Sequence, residues 1–348
     1  MGFAIGTANR GIVMRKQTSF GTVGSGTQFF GLIDDESFQT TYDINARADM
    51  TRYGAHTTKT GKRYAEGSIN MALDDSPFAA LLFNGIFQKI TTSGSGDPYT
   101  HIMEETDHDD GVKSTPDAFP VFQCIILRDE KQHTYSDMSI NRLSISASVG
   151  EYVMLSADFV GKAEDSSALT DIAAESGAFD PTINFEPVHF QSGEIFFRSG
   201  SNTTKSSTVT SFSLEFNLNR DVDASFALGD DTCVREAPPQ LREVSGTVEF
   251  QKVLHSTSVE EPLYGNLVDA GSDSVYNPGS SNPAIKLVLT STTNHDTIIE
   301  LFKCQWESPQ SNVSGRDNQT MSLNFTGLYD VTADKMAKVT IRNATSSL

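Results

Sequence analysis

Side chains able to do chemistry are sparse along this chain, and their spacing fits no known catalytic or metal-binding pattern. The densest group is His101-Ile102-Met103-Glu104-Glu105-Thr106-Asp107-His108-Asp109-Asp110-Gly111. Counting back from Gly111 puts Thr106, His108 and Asp110 at the first three ligand positions of a calcium loop, and only one of these is a carboxylate. The group is not an H-E-x-x-H helix either, so a solvated acidic loop is expected here. Lys62 follows Gly61, but a phosphate loop needs Gly at 56 and Ser or Thr at 63, where His56 and Arg63 stand. Gly24-Ser25-Gly26 and Gly94-Ser95-Gly96 lack the third glycine of a dinucleotide fingerprint and read as turns. No serine sits in a G-x-S-x-G elbow. Cys124, Cys233 and Cys304 show no C-x-x-C spacing and read as reduced core residues of a cytosolic protein. Paired acids such as Asp34-Asp35, Asp74-Asp75 and Asp230-Asp231 read as solvated strand ends rather than an acid/base pair in two environments. The expectation is a protein without catalysis, metal or cofactor.

Composition narrows the classes further. The 348 residues hold 26 Lys and Arg against 45 Asp and Glu, a formal charge of −19. Such a chain is ill suited to gripping a polyanion, since that affinity comes largely from cations neutralising phosphates. The 22 Phe and a steady supply of Val, Ile and Leu argue against disorder. The longest nearly apolar run, around Phe78–Phe87, is half of the ~20 residues a membrane-spanning helix needs. Met1-Gly2-Phe3-Ala4-Ile5 lacks the charged start and apolar core of an export signal.

Self-similarity is the most informative feature. Met154–Gly161 (MLSADFVG) returns as Thr320–Gly327 (TMSLNFTG). Ser37–Asn45 returns as Ser211–Asn219, Glu66–Met71 as Ser245–Phe250, and Pro77–Leu82 as Pro262–Leu267. The four matches keep their order, which points to two copies of one β-rich unit. Each copy shows an alternating strand (Phe38–Asn45; Phe212–Asn219), a polar loop (46–65; 220–244) and a returning strand (67–73; 246–253). A short helix follows. In the first copy Ser76 suits the N-cap, Pro77 the first helical position and Gly85 the stop; Ser258 and Glu260-Glu261 take that part in the second. Strands at 119–127, 142–148 and 152–161 complete the first copy, and strands at 284–289, 298–306 and 319–327 the second. The fold class expected is mainly β, two tandem homologous antiparallel β-sandwich domains, each with one short helix. Their bounds are 1–163, with an N-terminal arm, and 208–348. Residues 164–207 form a linker and second arm, in which Glu194-Ile195-Phe196-Phe197 parallels Gln28-Phe29-Phe30-Gly31.

The segments that carry the duplication also carry a family likeness. Arg15-Lys16-Gln17-Thr18-Ser19-Phe20-Gly21-Thr22, then Phe30 and Glu36-Ser37-Phe38, resembles the start of long-tailed bacteriophage tail tube (major tail) proteins. Ala157-Asp158-Phe159-Val160-Gly161, a strand closing on a glycine, resembles the end of their tube domain. The resemblance implies a non-enzymatic virion protein, made in the host cytoplasm, whose β-sandwiches join between subunits into an inner barrel. Rings with sixfold or pseudo-sixfold symmetry then stack into a hollow tail that DNA traverses without specific binding. With two tube units per chain, the expected ring is a trimer of pseudo-hexameric form, with a hexamer of duplicated chains as the alternative. Implied partners are further copies of the chain, the tape measure, the tail terminator and the distal tail proteins. A secreted tandem carbohydrate-binding or adhesin module is the competing reading, although an export signal and exposed aromatic platforms are missing and Trp306 sits in an alternating strand.

The two long loops differ in charge. Arg47, Arg52, Lys59, Lys62 and Arg63 outweigh Asp49 and Glu66 in the first, a net of +3. Asp221, Asp223, Asp230, Asp231, Glu236 and Glu243 outweigh Arg220, Arg235 and Arg242 in the second, a net of −3. In the resembling family this loop touches adjacent rings or subunits, so these oppositely charged loops are expected to meet between subunits and set the stacking register.

Overall fold

The computed structural model describes residues 11–24, 26–51, 53–55, 57–105, 119–128, 131–164, 170–171, 185–197, 206, 208–251, 275–276, 283–307, 310–312 and 320–348. In the first half these form β1 (Ile12–Lys16), β2 (Phe29–Gly31), β3 (Asp35–Glu36), β4 (Gln39–Arg47), β5 (Thr57–Ala72), helix α1 (Pro77–Asn84), β6 (Lys89–Ser93), β7 (Tyr99–Glu104), β8 (Phe122–Arg128), β9 (Lys131–Ser148) and β10 (Met154–Lys162). Next come β11 (Thr170–Asp171), β12 (Gly193–Phe197), β13 (Val209–Asn217), β14 (Glu243–Gln251) and β15 (Val275–Tyr276). The last strands are β16 (Ile285–Thr292), β17 (His295–Leu301), β18 (Lys303–Trp306), β19 (Gln310–Asn312), β20 (Thr320–Leu328) and β21 (Ala337–Asn343).

The molecule is mainly β, as its alternating Thr, Ser, Val and Phe pattern requires, and its strands form two antiparallel sheets. The larger runs β15-β18-β20-β14-β13-β9-β10-β5-β3, with β4 on β5, β19 on β20, and β1, β2, β8 and β11 branching from the first part of β9. The smaller runs β12-β16-β17-β21-β7-β6. Both halves of the chain contribute to both sheets. One apolar core cluster joins them, with Phe159, Phe216 and Phe325 from the large sheet and Leu287, Ile299 and Val339 from the small one. The three cysteines are free thiols buried in the structure.

Helix α1 begins as its sequence dictates. Ser76 Oγ accepts the Ala79 N–H at 3.0 Å, and Pro77 occupies the first turn, where its missing N–H costs nothing. Phe78 through Asn84 are all buried, against β2, β9 and β21. Gly85 ends the helix in right-handed geometry, φ −64°, so it is not a left-handed cap. Its small size is what matters, because a Cβ there would run into Ile140. The second-copy helix expected at 258–267 lies outside the described residues.

Two boundaries differ from the sequence reading. The first polar loop is mostly hairpin: β5 starts at Thr57, and residues 57–60 pair with 44–47 of β4. Both faces of that ribbon are exposed, so the apolar alternation that marks a half-buried strand is missing there. The run 298–306 is two strands, broken at Phe302, because β17 pairs in the small sheet and β18 in the large one. In addition, β12 lies on β16 as β1 lies on β8, so the 194–197 segment takes the place of β1 rather than that of Gln28–Gly31.

Two of the matched segments share pairing geometry, whereas the first is offset. Phe38 falls opposite Gly67, but its sequence match Phe212 stands opposite Val248, and Leu214 is the residue opposite Gly246. Phe159 stands opposite Gly67, and Phe325 opposite Gly246. A Cβ on Gly67 would lie 2.5 Å from Phe38 Cα, and one on Gly246 would strike the Phe325 ring and the Ser213 carbonyl. Each glycine therefore admits an aromatic side chain into the core beside it.

Candidate interaction surface

One face of the large sheet is built from short polar side chains. Along β9, Leu143 and Ile145 are buried while Arg142, Ser144, Ser146 and Ser148 look outward. The same alternation exposes Ser213 and Glu215 on β13, Ser245, Thr247 and Glu249 on β14, and Asn324 and Thr326 on β20. No described element covers this face. Its acids include Asp158, Glu215, Glu243, Glu249 and Glu307, and its central cation is Arg142. The Arg142 Nε bonds Asp158 Oδ2 at 2.7 Å, and Nη1 lies 3.5 Å from Glu215 Oε2 across the β9–β13 seam. That carboxylate pair also holds the guanidinium above its ordinary pKa, chiefly through the Asp158 hydrogen bond. Its charge is thus spent within the sheet.

The seam itself is antiparallel, running from Ser211 opposite Ser148 to Asn217 opposite Arg142. It joins a strand of the second half, β13, to a strand of the first, β9. The sheet ends are unlike each other: β3 and β4 on one side, β15 and β19 on the other.

Four of the charged residues singled out in the sequence pair with each other, Lys62 and Arg63 with Asp223 and Asp231. Arg47 and Lys59 are exposed on the β4–β5 hairpin, whose tip exposes Met50 and Tyr53 fully, while Arg52 lies outside the described residues. Lys62 Nζ reaches Asp223 Oδ1 at 2.7 Å, and Arg63 Nη1 lies 3.7 Å from Asp231 Oδ2. The Arg63 N–H also bonds the Asp231 carbonyl at 2.7 Å. These contacts close inside one chain. Asp221 accepts from the Ala224 N–H and from Gln240, and Asp230 is exposed. Glu236 belongs elsewhere: it pairs at 2.6 Å with Arg220, whose buried side chain also bonds the Ile140 and Ala237 carbonyls. Desolvation pushes the Glu236 carboxyl up despite that pairing. Arg142, Glu215, Arg128 and Glu36 were not singled out, yet they stand at the sheet edges and seam. For Arg142 and Glu215 the available signal was a lone charge at an outward position of a Ser-containing strand.

Of the acidic group expected to form a solvated loop, His101–Glu104 instead belong to strand β7, because their alternating side chains pack in the small sheet. His101 is buried on β7, with Nδ1 2.9 Å from Thr92 Oγ1 and Nε2 2.9 Å from the Thr345 carbonyl. Burial lowers its pKa, which suits a neutral, hydrogen-bonded core histidine. Residues 106–111 lie outside the described residues. Among the described residues no group of three or more His, Cys, Asp or Glu side chains is placed to hold a metal ion. Trp306 is 2% exposed, packed against Phe197 and Phe325, and offers no platform for a sugar ring.

No curated protein matches the chain. One family model does, over residues 7–327, and its description is phage tail tube protein.

Proposed function

The chain belongs to the phage tail tube protein family, a structural component of the virion tail, and from that premise we propose how it builds the tube. Two homologous units per chain, joined side by side in one sheet, form a third of a ring. Three chains close it with pseudo-sixfold symmetry, rings stack, and DNA passes through the bore during ejection. The protein does no catalysis. Its assembly partners are its own copies and the tape measure, terminator and distal tail proteins.

The observation that carries this reading is the β9–β13 seam. It joins two halves head to tail, so repeating it between chains propagates the sheet in one rotational sense, and such heterologous contacts close into rings. The conserved Phe–Gly register in both halves supports their being two copies of one unit. The outward polar face of the large sheet then lines the bore. Its carboxylates repel phosphates, its Ser and Thr side chains offer weak contacts, and Arg142 is already neutralised by Asp158 and Glu215.

The hairpin reaches the next subunit or ring. Lys62 and Arg63 are engaged in-chain by Asp223 and Asp231. The distal Arg47 and Lys59, with Met50 and Tyr53, therefore make that contact, and Arg52 is counted with them from its place in the sequence. Electron microscopy of the purified chain over a range of concentrations tests the reading. Rings of three chains with a central channel are expected. Single chains at every concentration and salt tested overturn it.

A further inference from the structure

Resting on the ring reading above, we infer the register in which one copy joins the next: the edge of β3 and early β4 pairs with β19 of a second copy, Ser37 opposite Asn312 and Gln39 opposite Gln310. The in-chain seam is the template. Beside β10, β9 pairs Met154 with Ser146 and Ser156 with Ser144, then slips by one residue between Asp158 and Phe159. Beside β20, β19 pairs Thr320 with Asn312 and Ser322 with Gln310. By Phe325 and Trp306 that ladder too has slipped by one residue. So β19 stands to β20 as the second half of β9 stands to β10.

The other side of the joint transfers in the same way. On β14, Gly246 is opposite Leu214; on β5, Gly67 falls opposite Phe38, between the pairs Glu36–Ile69 and Gln39–Glu66. In the sheet, therefore, Ser37 and Gln39 lie two residues beyond their sequence matches, Ser211 and Ser213, and occupy the places of Ser213 and Glu215. In the seam those two face Ser146 and Ser144, whose counterparts are Asn312 and Gln310. Among the described residues no strand lies on the outer edge of β3, β4 or β19.

The first edge is capped in the single chain. Ser37 donates its N–H to the Ser68 carbonyl, so the backbone groups of Phe38 point away from β5. Glu36 Oε2 accepts the Phe38 N–H at 2.9 Å, and Arg128 Nη2 donates to the Phe38 carbonyl at 2.6 Å. Arg128 Nε bonds Glu36 Oε1 at 2.8 Å. These are the backbone groups that a neighbouring strand must bond. The Glu36–Arg128 pair thus guards the edge against unselective pairing and yields to β19 on joining.

The test uses the full chain with Ser37→Cys and Asn312→Cys, oxidised after assembly. The native cysteines are buried. A non-hydrogen-bonded antiparallel pair sits about 4.5 Å apart at Cα, within disulfide reach. Covalent dimers and closed trimers are expected on non-reducing gels. A Gln39→Cys, Asn312→Cys chain, diagonal in this register, should give roughly tenfold less. Rings without the selective crosslink overturn the register and leave the ring reading standing. Failure of the unmodified chain to form rings overturns both. Arg128→Met and Glu36→Gln test the cap: ring formation at severalfold lower protein concentration in either supports it, and an unchanged or higher threshold in both overturns it.

Discussion

Two buried or half-buried ionisable groups set how this protein should respond to pH. Asp74 is 5% exposed, and desolvation pushes its carboxyl up to about 6 even though the Ser76 N–H and Oγ donate to it. A carboxyl raised in the folded state favours folding below its unfolded pKa, near 3.9, and that contribution is lost as pH rises through 6. Asp74→Asn keeps an acceptor for Ser76 and removes the buried charge. It is expected to flatten stability between pH 4 and 6 and to add about 2 kcal/mol at pH 7, read by urea denaturation. His295 works at higher pH. Burial alone would lower its pKa, but hydrogen bonds to Asp75 and Asp97, both 2.7 Å, prevail and raise it. Its stabilisation is full below the unfolded value of about 6.5 and is lost as pH rises through the raised folded value. In His295→Gln the stability change across that upper window should disappear, since the link from β17 to the α1 entry and the 95–98 loop no longer titrates.

At the scale of elements, the seam and the glycine–aromatic pairs carry the load. Gly67→Val and Gly246→Val place side chains into Phe38 and Phe325 respectively, and each should cost about 3 kcal/mol or more in urea unfolding. Arg142→Gln should cost about 1 kcal/mol or less, because its side chain is 48% exposed and the pairs are screened. The aromatic, alternating strands and the capped helix were legible in the sequence because a half-buried strand and an N-cap write themselves locally, as in Phe212–Asn219 and Ser76-Pro77. The extended β4–β5 ribbon was not, since Thr57–Thr60 have no buried face to impose alternation. Nor was the in-chain pairing of Lys62 with Asp223, residues 161 positions apart in the chain. Charge counting picks out the two loops but not that Lys62 and Arg63 meet Asp223 and Asp231 within one chain; the edge guard of Glu36 and Arg128, 92 residues apart, left no local trace.

For the whole molecule, joining of copies through the hairpin, as proposed above, should be sensitive to salt. Arg47→Glu with Lys59→Glu is expected to raise the protein concentration needed for ring stacking, and added salt should narrow the difference from wild type. Lys62→Glu, by contrast, should act first on the single chain, lowering its thermal midpoint through the lost Asp223 contact. Light scattering and a thermal melt separate the two effects.

The pairing of β7 with β21 sets a clock on biosynthesis. His101 and Asn343, hydrogen-bonded across that ladder, are separated by 242 residues. At roughly 5–20 residues per second the ribosome needs about 12–50 s to deliver the partner strand after β7 has emerged. For that interval the β6–β7 hairpin waits with one edge unpaired, and a chain cut short before β21 never completes the small sheet. A chain that ends before β21 should therefore be kept out of the proposed ring by its incomplete small sheet.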